Sequence, residues 1–283
     1  MKTVDIIYRY EARDTPAKPF PSDSDGALLR LDHGNRDFAA LLDHIKDEGD
    51  AIEQIIPVDP QDLGLLPGET GTLKQRPFAA ILGCSDARVP IELIFNEGPN
   101  DLFVIRVAGN GLGAEVLGSL KYAAEQLGGT LKLIVVLGHS GCGALTTAVD
   151  VFLNPGDYLE LAAKHSLRNI LDRSLLVVQA SANKLLTVFG PDIARNPGYR
   201  QALIEASIVT NAALAAYSIQ QEFGTSDLRA VYGVYLLETR QVWAPRLGNV
   251  DEAGLAAAPR DLAGFVDFGD AVVQSKRITS YIK

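Results

Sequence analysis

Two strongly apolar runs, each ending in glycine, constrain this chain more than any other feature. Residues 78–83 (FAAILG) lead into Cys84, and residues 131–138 (LKLIVVLG) lead into His139. Runs of this length, broken off by polar turns, are what strands buried on both faces require. Between them, residues 101–107 (DLFVIRV) read as another strand. Residues 113–127 carry Val116, Leu117, Leu120, Ala124 and Leu127 at helical spacing, with Gly128-Gly129 closing the helix. A helix is expected from Gly141. Residues 151–200 read as a helical excursion broken at Asn154-Pro155-Gly156 and again near Pro191 and Pro197. A helix rich in Ala and Ile follows over 199–223, and 228–237 with 240–244 read as a final strand pair. Strands alternating with helices predict an α/β fold, with a mostly parallel central sheet flanked by helices. On such sheets ligands sit beyond the carboxyl ends of the strands.

Upstream, residues 1–30 hold Pro16, Pro19 and Pro21 close together and read as an extended arm. Residues 35–50 place Phe38, Leu41, Leu42 and Ile45 at helical spacing, and the Pro- and Gly-rich 57–72 reads as a loop. The expected organisation is an N-terminal arm, helix and loop over 1–72, an α/β catalytic domain over 73–248, and a C-terminal extension over 249–283.

The net charge is −9, from 35 acidic against 26 basic residues, and no Lys/Arg run is present. That argues against a nucleic-acid or anionic-membrane partner. No window is expected to reach the roughly 18 apolar residues that a membrane helix needs. The first twenty residues lack the apolar stretch of a secretory signal. Only two cysteines occur, Cys84 and Cys142, which suits a reducing cytoplasm better than a disulfide scaffold.

Both cysteines and one of four histidines fall at predicted strand ends, in Gly83-Cys84-Ser85-Asp86-Ala87-Arg88 and Gly138-His139-Ser140-Gly141-Cys142-Gly143. On strands about 4.8 Å apart the three side chains could converge. Two thiolates and an imidazole select zinc, and three protein ligands leave a fourth position to solvent. The plainer alternative is two small buried cysteines and a loop histidine. Asp86 and Arg88 are either a surface ion pair or a bidentate pair beside the metal. In the second case Asp86 accepts a hydrogen bond from metal-bound hydroxide, or itself ligates the metal and closes the site.

Cys84-x-Asp86-x-Arg88 followed by His139-x-x-Cys142 resembles the β-class carbonic anhydrases. The likeness continues through Pro90, Asp101-Leu102-Phe103-Val104, Arg106, Ala108-Gly109-Asn110 and Ser119-Leu120-x-Tyr122-Ala123, and more weakly in Tyr232-Gly233-Val234-Tyr235. The resemblance implies a β-carbonic-anhydrase-like fold behind an N-terminal helical arm. It also implies one Zn2+ per chain on Cys84, His139 and Cys142, with Asp86 as an added ligand only in a closed state. The implied reaction is hydration of carbon dioxide to bicarbonate by zinc-bound hydroxide, oriented by the Asp86–Arg88 dyad. Gln75 matches a substrate-binding glutamine, and the implied assembly is a homodimer or higher oligomer. Val107 replaces a frequent asparagine. Arg106 and Tyr235 match a bicarbonate-regulated subclass, but Ile81 stands at its tryptophan position, so that regulation is not expected.

Two other functions share the motif: hydrolysis of carbonyl sulfide or carbon disulfide, and a silent zinc scaffold or sensor. His33, His44 and His165 lack ligand spacing and read as surface residues. Gly109-x-Gly111-x-Gly113 lacks the last interval of a dinucleotide fingerprint.

Overall fold

A computed structural model describes residues 3–11, 18–44, 51–65, 74–127, 129–163, 165–223, 228–245 and 254–283. In chain order the elements are β1 (Thr3–Tyr10), α1 (Ser24–Ala40), β2 (Ala51–Val58), β3 (Ala79–Gly83), α2 (Ile91–Ile94), β4 (Leu102–Arg106), α3 (Ala114–Gln126), β5 (Leu133–His139) and α4 (Gly143–Leu153). There follow α5 (Tyr158–Ala162), α6 (His165–Phe189), α7 (Tyr199–Glu222), β6 (Arg229–Tyr235), β7 (Val242–Trp243), β8 (Ala256–Ala257), α8 (Leu262–Gln274) and α9 (Lys276–Ile282).

The two apolar runs are β3 and β5, paired in parallel at the centre of the sheet and buried at every residue. The strand order is β4-β3-β5-β6, all parallel, with β7 and β8 antiparallel on the outer edge of β6. This is the expected α/β architecture. The period-two alternation of a strand divides the core. Ala80, Leu82, Ile134 and Val136 face a thick layer closed by Leu120, Leu145, Val178, Ile208, Val272 and Ile278 of the surrounding helices. Ala79, Ile81, Leu133, Val135 and Leu137 face a thin layer closed by Leu31 of α1 and by Ile91, Ile94 and Phe95 around α2. The chain leaves β3 for β4 on one side and then returns to β5 on the other. In sheets of this kind ligands bind at such a reversal, beyond the carboxyl ends of the strands.

Helix α7 shows how far packing decides the use of an apolar segment. Its mean hydropathy reaches 1.4, and by length and composition it could cross a bilayer, which a count of consecutive apolar residues does not reveal. Here 72% of that window is buried inside the protein, against β5, β6 and α6. It is a core helix. The expected breaks in the 151–200 excursion appear as 3₁₀ turns at Pro155–Asp157 and Pro191–Arg195.

The N-terminal region differs from expectation. The helix placed over 35–50 begins at Ser24, inside the supposed extended arm. The prolines stop at Pro21, and Asp23 then caps α1 by accepting the Gly26 amide at 2.8 Å. Leu41–His44 ends the helix as a 3₁₀ turn, and 45–50 lie outside the described residues. A second, two-stranded sheet pairs β1 with β2 in parallel. β2 runs into the expected 57–72 loop, which then forms a 3₁₀ turn over Pro60–Leu63, with 66–73 outside the described residues. Partners so distant along the chain leave no local signal. Gly128, expected to close α3, is also outside the described residues.

The C-terminal helices belong to the core. Phe268, Val272, Val273 and Ile278 are buried, and Asn196 Nδ2 donates to Ile282 O at 2.9 Å. At the start of α7 a Cβ on Gly198 would stand 1.7 Å from Tyr281 O, so α9 packs at backbone contact. Gly198→Ala is therefore expected to destabilise the fold by about 2–3 kcal/mol. The measurement is a urea midpoint lowered at unchanged slope.

Candidate metal centre

The pairing that aligns Gly83 with Leu137 puts Cys84, just past β3, at the same sheet end as His139, the last residue of β5. Cys142 follows across Ser140-Gly141 and stands at the N-cap of α4. Gly141 makes that short path possible with φ +63°, a left-handed conformation that L side chains avoid.

The ligand atoms of Cys84, His139 and Cys142 all lie within 4.8 Å of one another, and all three residues are buried. Tetrahedral zinc, with bonds of about 2.0–2.3 Å, spaces its ligands about 3.5 Å apart. Small side-chain movements therefore close this set on one ion. His139 Nδ1 lies 3.0 Å from Ser140 O, the contact that places its proton there and leaves Nε2 as the free lone pair. Nε2 is buried and has no hydrogen-bond partner. An orphaned buried nitrogen is costly unless a ligand takes it. The donor set fits zinc.

The two sulfurs are pushed in opposite directions. A hydrogen bond from Cys142 holds the Cys84 thiol well below its usual value against the opposing effect of burial, helped by the amides of Asp86 and Gly109. The Gly109 amide reaches Cys84 Sγ at 3.3 Å. The same hydrogen bond, with burial, holds the Cys142 thiol well above its usual value.

Asp86 edges this cluster without joining it. Arg88 donates from Nε to Oδ1 at 3.0 Å, from Nη2 to Oδ2 at 2.7 Å, and from its amide to Oδ1 at 2.9 Å. The Arg88 side-chain hydrogen bonds hold the carboxyl well below the usual carboxylate range. Asp86 Oδ2 stands 3.8 Å from His139 Nε2, too far for a hydrogen bond. The Arg88 side chain is 61% exposed, so the pair contributes little to stability; its effect is to hold the carboxylate.

Other expected residues are placed as follows. Arg106 donates to Cys84 O at 3.1 Å and to Asp86 O at 2.5 Å, supporting the whole Cys84–Asp86 turn, a role its spacing did not announce. Val107, in place of the frequent asparagine, closes the same region with its amide on Gly83 O at 3.0 Å. Ile81 and Tyr235 pack in the thin layer. Gln75 is exposed on the segment entering β3 and takes no part in these hydrogen bonds. The glycine cluster at 109–113 serves the thiolate through the Gly109 amide. His33 is exposed, whereas the side chains of His44 and His165 lie outside the described residues. Missed altogether was Glu205, which accepts the Gly141 amide at 3.0 Å. A carboxylate in the middle of the Ala- and Ile-rich α7, whose other acid, Glu222, lies at its end, was the available signal.

The family pattern described as Carbonic anhydrase matches residues 79–239. Carbonic anhydrase 2 of Mycobacterium tuberculosis is 31% identical over 182 residues, covering 63% of this chain and 79% of its own length. A carbonic anhydrase of Mycolicibacterium smegmatis is 49% identical over 74 residues, 26% of this chain and 35% of that protein. Among solved structures, the β-carbonic anhydrase CcaA overlaps 61% of this chain and 81% of its own at 25% identity, with a TM-score of 0.45.

The Cys84 thiol is shifted towards its ionised form and the Cys142 thiol away from it, so zinc uptake near pH 6.5 is expected to release fewer than two thiol protons per chain. Calorimetry in two buffers of different ionisation enthalpy reads this number, and release of two would mean that neither thiol is ionised beforehand.

Proposed function

The chain belongs to the carbonic anhydrase family, in its β class, and from that premise we propose that it interconverts carbon dioxide and bicarbonate with one zinc per chain on Cys84, His139 and Cys142. The observation that carries this reading is the buried Cys/His/Cys cluster edged by a carboxylate that Arg88 keeps out of the ligand set.

Zinc bound there supplies a Lewis acid with one coordination place open to solvent. The remaining work belongs to the side chains. An ionised carboxylate can only accept hydrogen bonds. A water beside it would therefore donate to Asp86 and keep an oxygen lone pair free for carbon dioxide. Two thiolates offset much of the charge of the ion, which makes such an acceptor more valuable than in an all-imidazole site. Arg88 holds the Asp86 carboxylate by two side-chain hydrogen bonds and would thereby keep it from ligating a bound zinc. The peptide oxygens of Cys84 and Asp86 are fixed by Arg106, so the acceptor and the first sulfur move as one unit.

The same reading extends to a homodimer. A cavity of about 290 Å³ lined by Gly109, Leu112, Leu176 and Leu214 adjoins the support of Cys84, and Leu176 is 71% exposed. A second copy of the chain would cover this apolar surface.

Stopped-flow hydration by the zinc-loaded protein is expected to exceed buffer, and Asp86→Asn to retain zinc while losing turnover by about 100-fold. Full activity in that variant would remove the acceptor role. A zinc-loaded wild type without hydration overturns the reading, and faster hydrogen sulfide release from carbonyl sulfide would transfer it to that substrate.

The pH behaviour has a definite sign. The Asp86 carboxyl lies below its unfolded value of about 3.9, so the Arg88 pairing is complete above that value and is lost only as pH falls through the lower folded one. Its carboxyl carbon resonance is expected to stay flat from about pH 4 to about pH 8. An acid limb of activity within that range then belongs to other groups.

A further inference from the structure

The turn between His139 and Cys142 is gripped by two carboxylates from distant parts of the chain, and both end on one cation. Glu205 of α7, only 2% exposed, takes the Gly141 amide on Oε1 at 3.0 Å, together with Gln201 Nε2 at 3.2 Å. Glu238, just past β6, takes the Ser140 hydroxyl on Oε2 at 3.0 Å. Arg277 of α9 joins them. Its Nη2 and Nε donate to Glu205 Oε2 at 2.8 and 3.3 Å, and its Nη1 donates to Glu238 Oε1 at 2.5 Å. A closed ring results, running Arg277–Glu205–Gly141–Ser140–Glu238 and back. Ser140 is tied further by its amide to Tyr235 O and by the Leu237 amide to its hydroxyl, both at 2.9 Å.

We propose that Arg277 is a positioning residue for the metal, fixing the Ser140-Gly141 turn and thereby how firmly His139 and Cys142 hold zinc. The inference rests on the zinc reading above.

The reasoning is electrostatic and geometric. Glu205 is buried beside the Ser140-Gly141 turn, and a buried carboxylate without a cation is strongly unfavourable. Burial works against the charge of Arg277, yet Glu205 and Glu238 hold its pKa above the ordinary value. A planar guanidinium fork satisfies two carboxylates at once, which the point charge of an ammonium does less well. Ile278 of the same helix is fully buried but makes none of the ring's hydrogen bonds. His139 feels the ring directly, because its Nδ1 contact is the carbonyl of Ser140. Partners of this outer kind orient metal ligands in general.

The test uses the full-length, zinc-loaded chain. Zinc transfer to a chromophoric chelator is expected to be about tenfold faster or more in Arg277→Gln. The visible spectrum of the cobalt-substituted variant is expected to shift, and kcat to fall with little change in KM. Arg277→Lys recovers part of the zinc retention. Ser140→Ala, a milder change that cuts the link to Glu238, also speeds release. Ile278→Ala loosens the packing of α9 but keeps every member of the ring, so it lowers Tm without hastening release. Unchanged release and spectrum in Arg277→Gln overturn the proposal, as does release from Ile278→Ala that matches Arg277→Gln at equal loss of Tm. Release and spectrum are read without carbon dioxide, so a wild type that holds zinc and hydrates nothing overturns the functional reading alone. A wild type that binds no zinc overturns both.

Discussion

The parallel pairing of β3 with β5 is the constraint from which the rest follows. It is buried on both faces, so its register is set by two rows of apolar side chains, and a slip of one residue would turn both rows out of their layers. The same register decides where the chain emerges. Cys84 and His139 meet because Gly83 lies opposite Leu137, at the strand ends where the chain path reverses. Stability and chemistry thus depend on one ladder of backbone hydrogen bonds.

Around that meeting point, satisfied polar groups keep unsatisfied ones in place. Backbone amides face the Cys84 sulfur, Arg106 occupies the carbonyls of its turn, and Arg88 saturates one side of Asp86. Among the described residues His139 Nε2, directed by the occupied Nδ1, is one of three buried side-chain atoms left unpaired, with Asn110 Nδ2 and Ser207 Oγ, and it is the one that stands beside both sulfurs.

The legible parts of the chain were those with local causes. An apolar run closed by a glycine-rich polar turn declares a buried strand and its end, so β3, β5 and the Cys/His/Cys set could be read from residues 78–88 and 131–143. The breaks at Asn154-Pro155-Gly156 and Pro191 follow from turn chemistry in the same way. β1 and β2 could not be read, since each depends on a partner far along the chain and neither is buried enough to show a clean alternation. The start of α1 was hidden by prolines that precede its cap. Helix α7 carries apolar residues all round because it is enclosed by the sheet on one side and helices on the other, so composition alone could not distinguish it from a membrane span. The ring around Arg277 draws on residues 140, 141, 205, 238 and 277, and only the isolated Glu205 stood out from its surroundings.

That spread has a consequence for how the molecule is made. A ribosome delivers the sulfur and imidazole donors early and Arg277 late, since synthesis runs from the amino end. A nascent chain halted after α7 would already possess every donor atom, with the Glu205 carboxylate beside them and no cation to neutralise it. If Arg277 positions the zinc ligands as proposed, secure capture of the ion would follow the docking of α9.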